Sequence, residues 1–257
     1  MENKINVGFV LYGFLNDYAS LNNLRYAQDI CKNILNVKIN FYYAIPNQLS
    51  EFLKEKIDIE QIKSIVGDTS NFNYTLVDYN VCKYIQDCKK LQYNLITDEH
   101  RLYPTRTFSM FDRISDSVQF LKNFKIKNDL CIVTRLNFLP SVRFLSNIDL
   151  NHINNKLFIF RTCPYKSRSH AEDRFFWGDQ NKIESLTEIY DYISNKIYDD
   201  KNFFNEYMLA DFFSTKNING LEYQDNIFIE TKINQAKYNE DTRKKIINYY
   251  KECESVL

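Results

Sequence analysis

The stretch NDLCIVTRLNF, residues 128 to 138, sets four apolar residues, Leu130 to Val133, directly before Thr134, Arg135, Leu136 and Asn137. Such a run reads as a buried strand, and a buried strand gains nothing from ending on a permanent cation and an amide. Guanidinium forks pair bidentately with phosphate oxygens, so Arg135 and its neighbour Asn137 suit a phosphate or diphosphate ligand. Arg106 opens a long helical stretch, RTFSMFDRISDSVQFLKNFKI, where a helix N-terminus adds positive potential. Tyr12 and Gly13 close the first strand, Ile5 to Tyr12, and a glycine lets backbone approach a ligand closely. In open α/β sheets, ligands bind outside the carboxyl ends of parallel strands, and these three features converge on that edge. The structural alternative pairs Arg135 with Asp112 or Asp129.

Carboxylates that could move a proton lie further along. HAEDRFFWGD, His170 to Asp179, carries Glu172, Asp173 and Arg174 into Phe175, Phe176 and Trp177 before Gly178 and Asp179 turn the chain. Rings beside carboxylates suit a carbohydrate, whose C–H faces stack on aromatic groups. The plainer account is a buried aromatic strand followed by a helix that Asp179 caps. Glu206, in NEYMLADFF, falls in the first turn of a helix, a position where a carboxylate is already favourable. Asp98 to His100, DEH, are contiguous loop residues and poorly placed to share one metal ion, and His152 and His170 read as surface or hydrogen-bonded residues.

The elements that must position these residues alternate. After the first strand, Asn16 or Asp17 caps an expected helix to about Leu35. Strand VKINFYYAI, helix NQLSEFLKEKI, strand NYTLVDY and helix VCKYIQDCKKL follow. Residues 94 to 105, with Pro104, read as a loop. In the long helix beyond it, Phe108, Phe111, Ser115, Val118 and Leu121 trace the apolar stripe, with Asp112, Arg113 and Asp116 off it. Strands KLFIF and DRFFWGD, helices NKIESLTEIYDYISNKI and NFFNEYMLADFFSTKNI, strand DNIFIET and a helix over about Asp241 to Cys253 complete the order. The pattern predicts an α/β fold with a mostly parallel sheet, one domain over residues 1–215 and a C-terminal strand and helix extension, 216–257, packed on it.

Composition limits the classes. The 257 residues hold 33 Lys plus Arg against 33 Asp plus Glu, which argues against a broad basic face for nucleic acid. Five glycines and four prolines are too few for an all-β sandwich, and they favour long helices between strands. No segment approaches the roughly 20 apolar residues of a membrane span, and Val7 to Leu15 has no cleavage site of a signal peptide. The six cysteines make no CxxC pair, so buried thiols in a reducing compartment are expected rather than zinc ligands or disulfides.

In order along the chain, the segments VGFVLYG, RTFSMFDRI, VTRLN, DRFFWGD and NEYMLADFF resemble those of small GT-A-type glycosyltransferases of bacteria and large viruses that act in surface-glycan synthesis. The resemblance covers roughly residues 5 to 215. It implies a GT-A-like, Rossmann-like mixed sheet flanked by helices, and transfer of a sugar from a nucleoside diphosphate sugar to a hydroxyl of a glycan or glycolipid. The enzyme would be cytoplasmic, or peripheral at a membrane surface. Donor binding would fall to Tyr12, Gly13, Arg106, Arg135, Asn137, Asp173 and Arg174. Glu206 would be the first choice for the catalytic base and Asp179 the second.

The sequence departs from the family where GT-A enzymes keep a metal-binding DxD, since Arg135-Leu136-Asn137 stands there. Mn²⁺ or Mg²⁺ wants oxygen ligands. Either Asn137 ligates the ion with help from Asp98 or Asp173, or Arg135 neutralises the leaving phosphate without a metal. The remaining alternative is an inactive relative that only binds nucleotide or glycan.

Overall fold

The computed structural model describes residues 5–15, 18–21, 24, 37–49, 55–66, 71–93, 104–136, 152–161, 171–198 and 205–224. Seven strands form one sheet: β1 (Asn6–Tyr12), β2 (Lys38–Pro46), β3 (Phe72–Val77), β4 (Leu130–Arg135), β5 (Leu157–Arg161), β6 (Ala171–Gly178) and β7 (Leu221–Gln224). Their spatial order is β3-β2-β1-β4-β6-β5-β7. β1 pairs in parallel with both β2 and β4, and β2 with β3. β6 runs antiparallel to both of its neighbours, β4 and β5, while β5 and β7 are parallel. The expected mixed, mostly parallel sheet flanked by helices is therefore present.

The sheet is covered on both faces, which is why β1, β2 and β4 are near-continuous apolar runs rather than alternating ones. Side chains still alternate by face. Val7, Phe9 and Leu11 meet Ile132, Phe175 and Trp177 in one buried cluster, packed with Ile62 and Val66 of helix α1 (Ile59–Val66). Val10, Tyr12, Cys131, Val133 and Phe176 face the other way, onto helices α2 (Val81–Lys90) and α3 (Pro104–Lys122). The same layer holds α4 (Gln180–Glu184), α5 (Ile189–Ile193) and α6 (Asn205–Thr215).

Several sequence expectations are revised. The helix expected over residues 47–57 is replaced at both of its described ends by an antiparallel bridge between Gln48 and Lys56. Leu49 N donates to Glu55 O at 3.0 Å, and Ile57 N to Asn47 O at 3.1 Å. The helix of this region is α1, started by Asp58, whose Oδ1 accepts from Glu60 N at 2.9 Å and Gln61 N at 3.2 Å. Pro104, read as loop, is the first residue of α3, where its missing N–H costs nothing. The single helix expected over 181–197 is broken: α4 gives way to a 3-10 turn, Ser185–Glu188, before α5. Asp112 and Arg113, expected off the apolar stripe of α3, are buried beneath α2.

The helix expected to begin at Asn16 or Asp17 lies mostly outside the described residues, of which Tyr18–Leu21 form a 3-10 turn. The expected strand DNIFIET and the helix after Asp241 lie outside them entirely. β7 precedes that strand and joins the main sheet beside β5.

At the amino edge of the sheet a buried amide network stands behind β1. Asn128 Nδ2 donates to Tyr42 Oη at 3.3 Å and to Gln180 Oε1 at 3.1 Å, while Asn40 Nδ2 donates to Asn128 Oδ1 at 3.1 Å. Gly8 makes room for it, since a Cβ there would stand 2.9 Å from the Asn128 side chain.

Candidate functional site

The switch point of the sheet lies between β1 and β4. The chain builds β2 and β3 to one side of β1 and then returns to place β4 on the other, and in open α/β sheets ligands bind outside the carboxyl ends of the strands at such a point. Tyr12 and Arg135 are register partners there. Parity along β4 puts Arg135 on the same face as Cys131 and Val133, toward α3. Its guanidinium carbon sits 5.8 Å from the centre of the Tyr12 ring, and its Nη2 donates to Met110 Sδ at 3.1 Å. The carboxylates that the structural alternative required are engaged elsewhere. Asp129 accepts from Asn6 N at 2.8 Å, and Asp112 binds Lys83, Tyr84 and Arg113.

Gly13 follows with φ at +98°, a backbone conformation that disfavours a side chain although open space surrounds the position. Tyr43 Oη donates to its carbonyl at 3.0 Å and fixes the turn. Phe14, next along, packs edge-on to Tyr79 with ring centres 4.9 Å apart.

Arg106 lies in the first turn of α3, half-buried, and Met110 lies four residues on. Residues at that spacing share one helix face, so Arg106 stands one turn from the thioether that Arg135 contacts. The N-terminus of α6 reaches the same place. Thr107 Oγ1 donates to Asn205 Oδ1 at 2.9 Å, and Asn205 Nδ2 lies 3.6 Å from Met110 Sδ. Glu206, the next residue, is half-buried in the first turn of α6. The structure thus gathers Tyr12, Gly13, Arg106, Arg135 and the helix turn bearing Glu206 at one sheet edge.

β6 sorts the remaining candidates by running backwards. Thr134 pairs with Phe175 and Cys131 with Gly178, so the start of β6, with the backbone of Asp173 and Arg174, lies toward the Arg135 edge. The side chains of Asp173 and Arg174 lie outside the described residues, as do Asn137, Asp98 and His170. Asp179 leaves β6 at the opposite, amino edge. There it caps α4, with Oδ1 accepting from Asn181 N at 2.8 Å and Oδ2 from Asn155 N at 3.3 Å. The structure does not bring it to Arg135.

Phe175, Phe176 and Trp177 are core residues, none more than 3% exposed. Trp177 stacks on Phe158 with ring centres 5.3 Å apart, so the run offers no open face to a sugar. His152 is a surface residue beside Glu222 and Lys156.

Met110, Thr107 and Asn205 were not singled out from the sequence. The one available signal is the four-residue spacing of Arg106 and Met110. Among the described residues no group of three His, Cys, Asp or Glu stands together. The described end of β4 offers a guanidinium and the thioether beside it, neither of them an oxygen ligand for Mn²⁺ or Mg²⁺, while the ligands expected from the sequence, Asn137 with Asp98 or Asp173, lie outside the described side chains. No described helix is long and apolar enough to cross a membrane.

No family model and no curated relative matches the chain. Among solved structures it is similar to the galactosyltransferase LgtC in complex with donor and acceptor sugar analogs, at 12% identity over 85% of this chain and 73% of that one, with a TM-score of 0.46. An active-site mutant of LgtC matches at 14% identity over 85% and 72%, with a TM-score of 0.45. A glycosyltransferase involved in glycosylation of the major capsid of PBCV-1 matches at 12% identity over 87% and 82%, with a TM-score of 0.44. Likeness of this depth carries no argument about activity.

Proposed function

We propose that the chain is a glycosyltransferase moving a sugar from a nucleoside diphosphate sugar to a hydroxyl of a glycan or glycolipid acceptor. The observation that carries this reading is the convergence of two arginines on the switch point. Arg135 contacts Met110 at 3.1 Å, and Arg106 lies one turn away on the same helix. Two guanidinium-bearing residues at this edge suit a diphosphate, whose oxygens pair bidentately with guanidinium forks.

In the transfer, the bond between the anomeric carbon and the β-phosphate oxygen breaks, and its electron pair leaves with the diphosphate. Arg135 and Arg106 stabilise the charge that develops there, the electrostatic contribution that usually dominates catalysis. The acceptor oxygen forms the new bond to the anomeric carbon. In an inverting reaction its proton passes to the Glu206 carboxylate. Asp173 and Arg174, entering β6 at this edge, hold the donor sugar. Asp179 serves as a helix cap. The arginines supply the charge neutralisation, so the reaction needs no divalent ion.

A thermal-shift panel of UDP, GDP, CDP, dTDP and their sugars, each with EDTA or Mn²⁺, tests this. A ligand at about 100 times its Kd stabilises by about 2.7 kcal/mol, which raises the Tm of a protein this size by roughly 5–10 °C. One diphosphate is expected to do so in EDTA, and Arg135→Ala is expected to abolish the shift. A shift that requires Mn²⁺ overturns the metal-free step. A shift without release of diphosphate from any sugar nucleotide points instead to a binding relative without activity. No shift from any nucleotide overturns the reading altogether.

A further inference from the structure

Helix α6 packs mainly on β6 and α5, and it meets α3 at its own N-terminal end. Met208, Leu209, Phe212 and Phe213 of α6 are buried in the layer that holds Phe108, Phe111 and Ile114 of α3. Apolar side chains hold two helices together without fixing their axial register, because dispersion and burial are non-directional. Where α6 meets α3 the contact is polar. Thr107 and Asn205 are 2% and 7% exposed, and they hydrogen-bond across the two helices 98 positions apart in sequence. Buried polar pairs of this kind contribute little net stability, but they are directional and fix one arrangement. The same asparagine reaches Met110 Sδ at 3.6 Å, and that sulfur also accepts from Arg135 at 3.1 Å. A thioether is a weak acceptor, so it aims a guanidinium without neutralising it as a carboxylate would.

We propose that Thr107, Asn205 and Met110 form a positioning tie that sets the spacing between the Arg135 guanidinium and the turn of α6 bearing Glu206. The proposal rests on the transferase reading above. Asn205 is the residue directly before Glu206, and its amide is held from outside its own helix. The first turn of α6 is therefore tied to α3 through Asn205. None of the three residues takes part in bond making. They act through Arg135 and Glu206, and displacement of a reacting group by about 1 Å costs on the order of 100-fold in rate.

The test compares Thr107→Val, which keeps shape and removes the hydroxyl donor, with Thr107→Ser, which restores it. The substrate is whichever sugar nucleotide the thermal panel selects, with water as acceptor, and release of nucleoside diphosphate is followed. Thr107→Val is expected to lower kcat by about 10- to 100-fold with the donor KM nearly unchanged, and Thr107→Ser to recover most of the rate. Tyr192→Phe, which loosens a contact further along α6 with Asp211 at 3.0 Å, is expected to lower Tm without lowering kcat. Where Thr107→Val does not fold, the volume-conserving Met110→Leu replaces it, with an expected rise of about tenfold in donor KM as Arg135 loses its contact.

Undiminished kcat in Thr107→Val, unchanged kinetics in Met110→Leu, or an equal loss of kcat in Tyr192→Phe each overturns the tie while leaving the transferase reading intact. A wild-type protein that binds no nucleotide overturns both.

Discussion

Arg113 is 2% exposed and directs a single terminal nitrogen, Nη2, at three oxygens. These are Asp112 Oδ2 at 2.7 Å, Tyr84 Oη at 2.9 Å and Asp116 Oδ2 at 3.0 Å. Its Nε and Nη1 meet no acceptor among the described residues. The two carboxylates beside it are not equivalent. For Asp112, burial favours the neutral form, but the Arg113 charge and bonds from Tyr84 and Lys83 outweigh it and hold the carboxyl below its ordinary range. For Asp116, burial and then the Asp112 charge, only partly offset by Arg113, leave the carboxyl above that range. The linkage therefore has opposite signs. A depressed carboxylate stabilises above its unfolded pKa, whereas a raised one costs stability at neutral pH, and that cost is relieved as pH falls through its folded pKa. At pH 7, Asp112→Asn is expected to lose about 3–5 kcal/mol, as when one partner of a buried pair is removed. Asp116→Asn is expected to leave Tm unchanged or raise it. Chemical denaturation of the two variants side by side checks this, and a larger loss in Asp116→Asn would reverse the assignment.

Elements place the site more than single residues do, and this is where the sequence was legible and where it was not. Strands β1, β2 and β4 could be read because two buried faces demand unbroken apolar runs. Their carboxyl ends then bring Tyr12, Gly13 and Arg135 to one edge of the sheet. The tie among Thr107, Asn205 and Met110 could not be read, because each residue acquires its role only when α3 and α6 meet, 98 positions apart. The burial of Asp112 and Arg113 was hidden for the same reason, since the stripe of one helix does not announce a second helix laid across its polar side. The direction of β6 mattered as well. As one antiparallel strand among parallel ones, it sends Asp179 to the far edge although the sequence places it only six residues from Asp173.

The other end of α6 carries its own pH dependence. Burial would raise Asp211, but bonds from Lys196 at 2.6 Å, Tyr198 at 2.8 Å and Tyr192 at 3.0 Å outweigh it and hold the carboxyl below the ordinary aspartate range. That stability is present above the unfolded pKa and is lost as pH falls through the folded one. Acid unfolding is expected to begin around α6 as pH drops below about 4, with Asp211→Asn flattening that limb. Hydrogen exchange over residues 205–215 checks it, and full protection of α6 at pH 3 would contradict it.

At the scale of the whole molecule, the sheet is assembled from pairings far apart in sequence. β1 meets β4 through Val7 and Leu130, and β5 obtains its second neighbour only from β7. Among the described residues, the four of β7, Leu221–Gln224, form the outer strand on that side. A chain ended after Gly220 is expected to aggregate where one ended after Gln224 does not, because the first exposes the outer edge of Leu157, Phe158 and Ile159 as an unpaired template. Light scattering during refolding distinguishes the two, and equal solubility would refute the expectation.

That late pairing bears on how the protein is made. A ribosome adds roughly 5–20 residues each second, and about 60 residues separate β5 from the end of β7. The newborn polypeptide therefore carries an apolar strand edge open for several seconds, within reach of its siblings on the same message. Slower translation would lengthen that exposure, and a holdase chaperone that covers extended apolar segments would shorten its consequences.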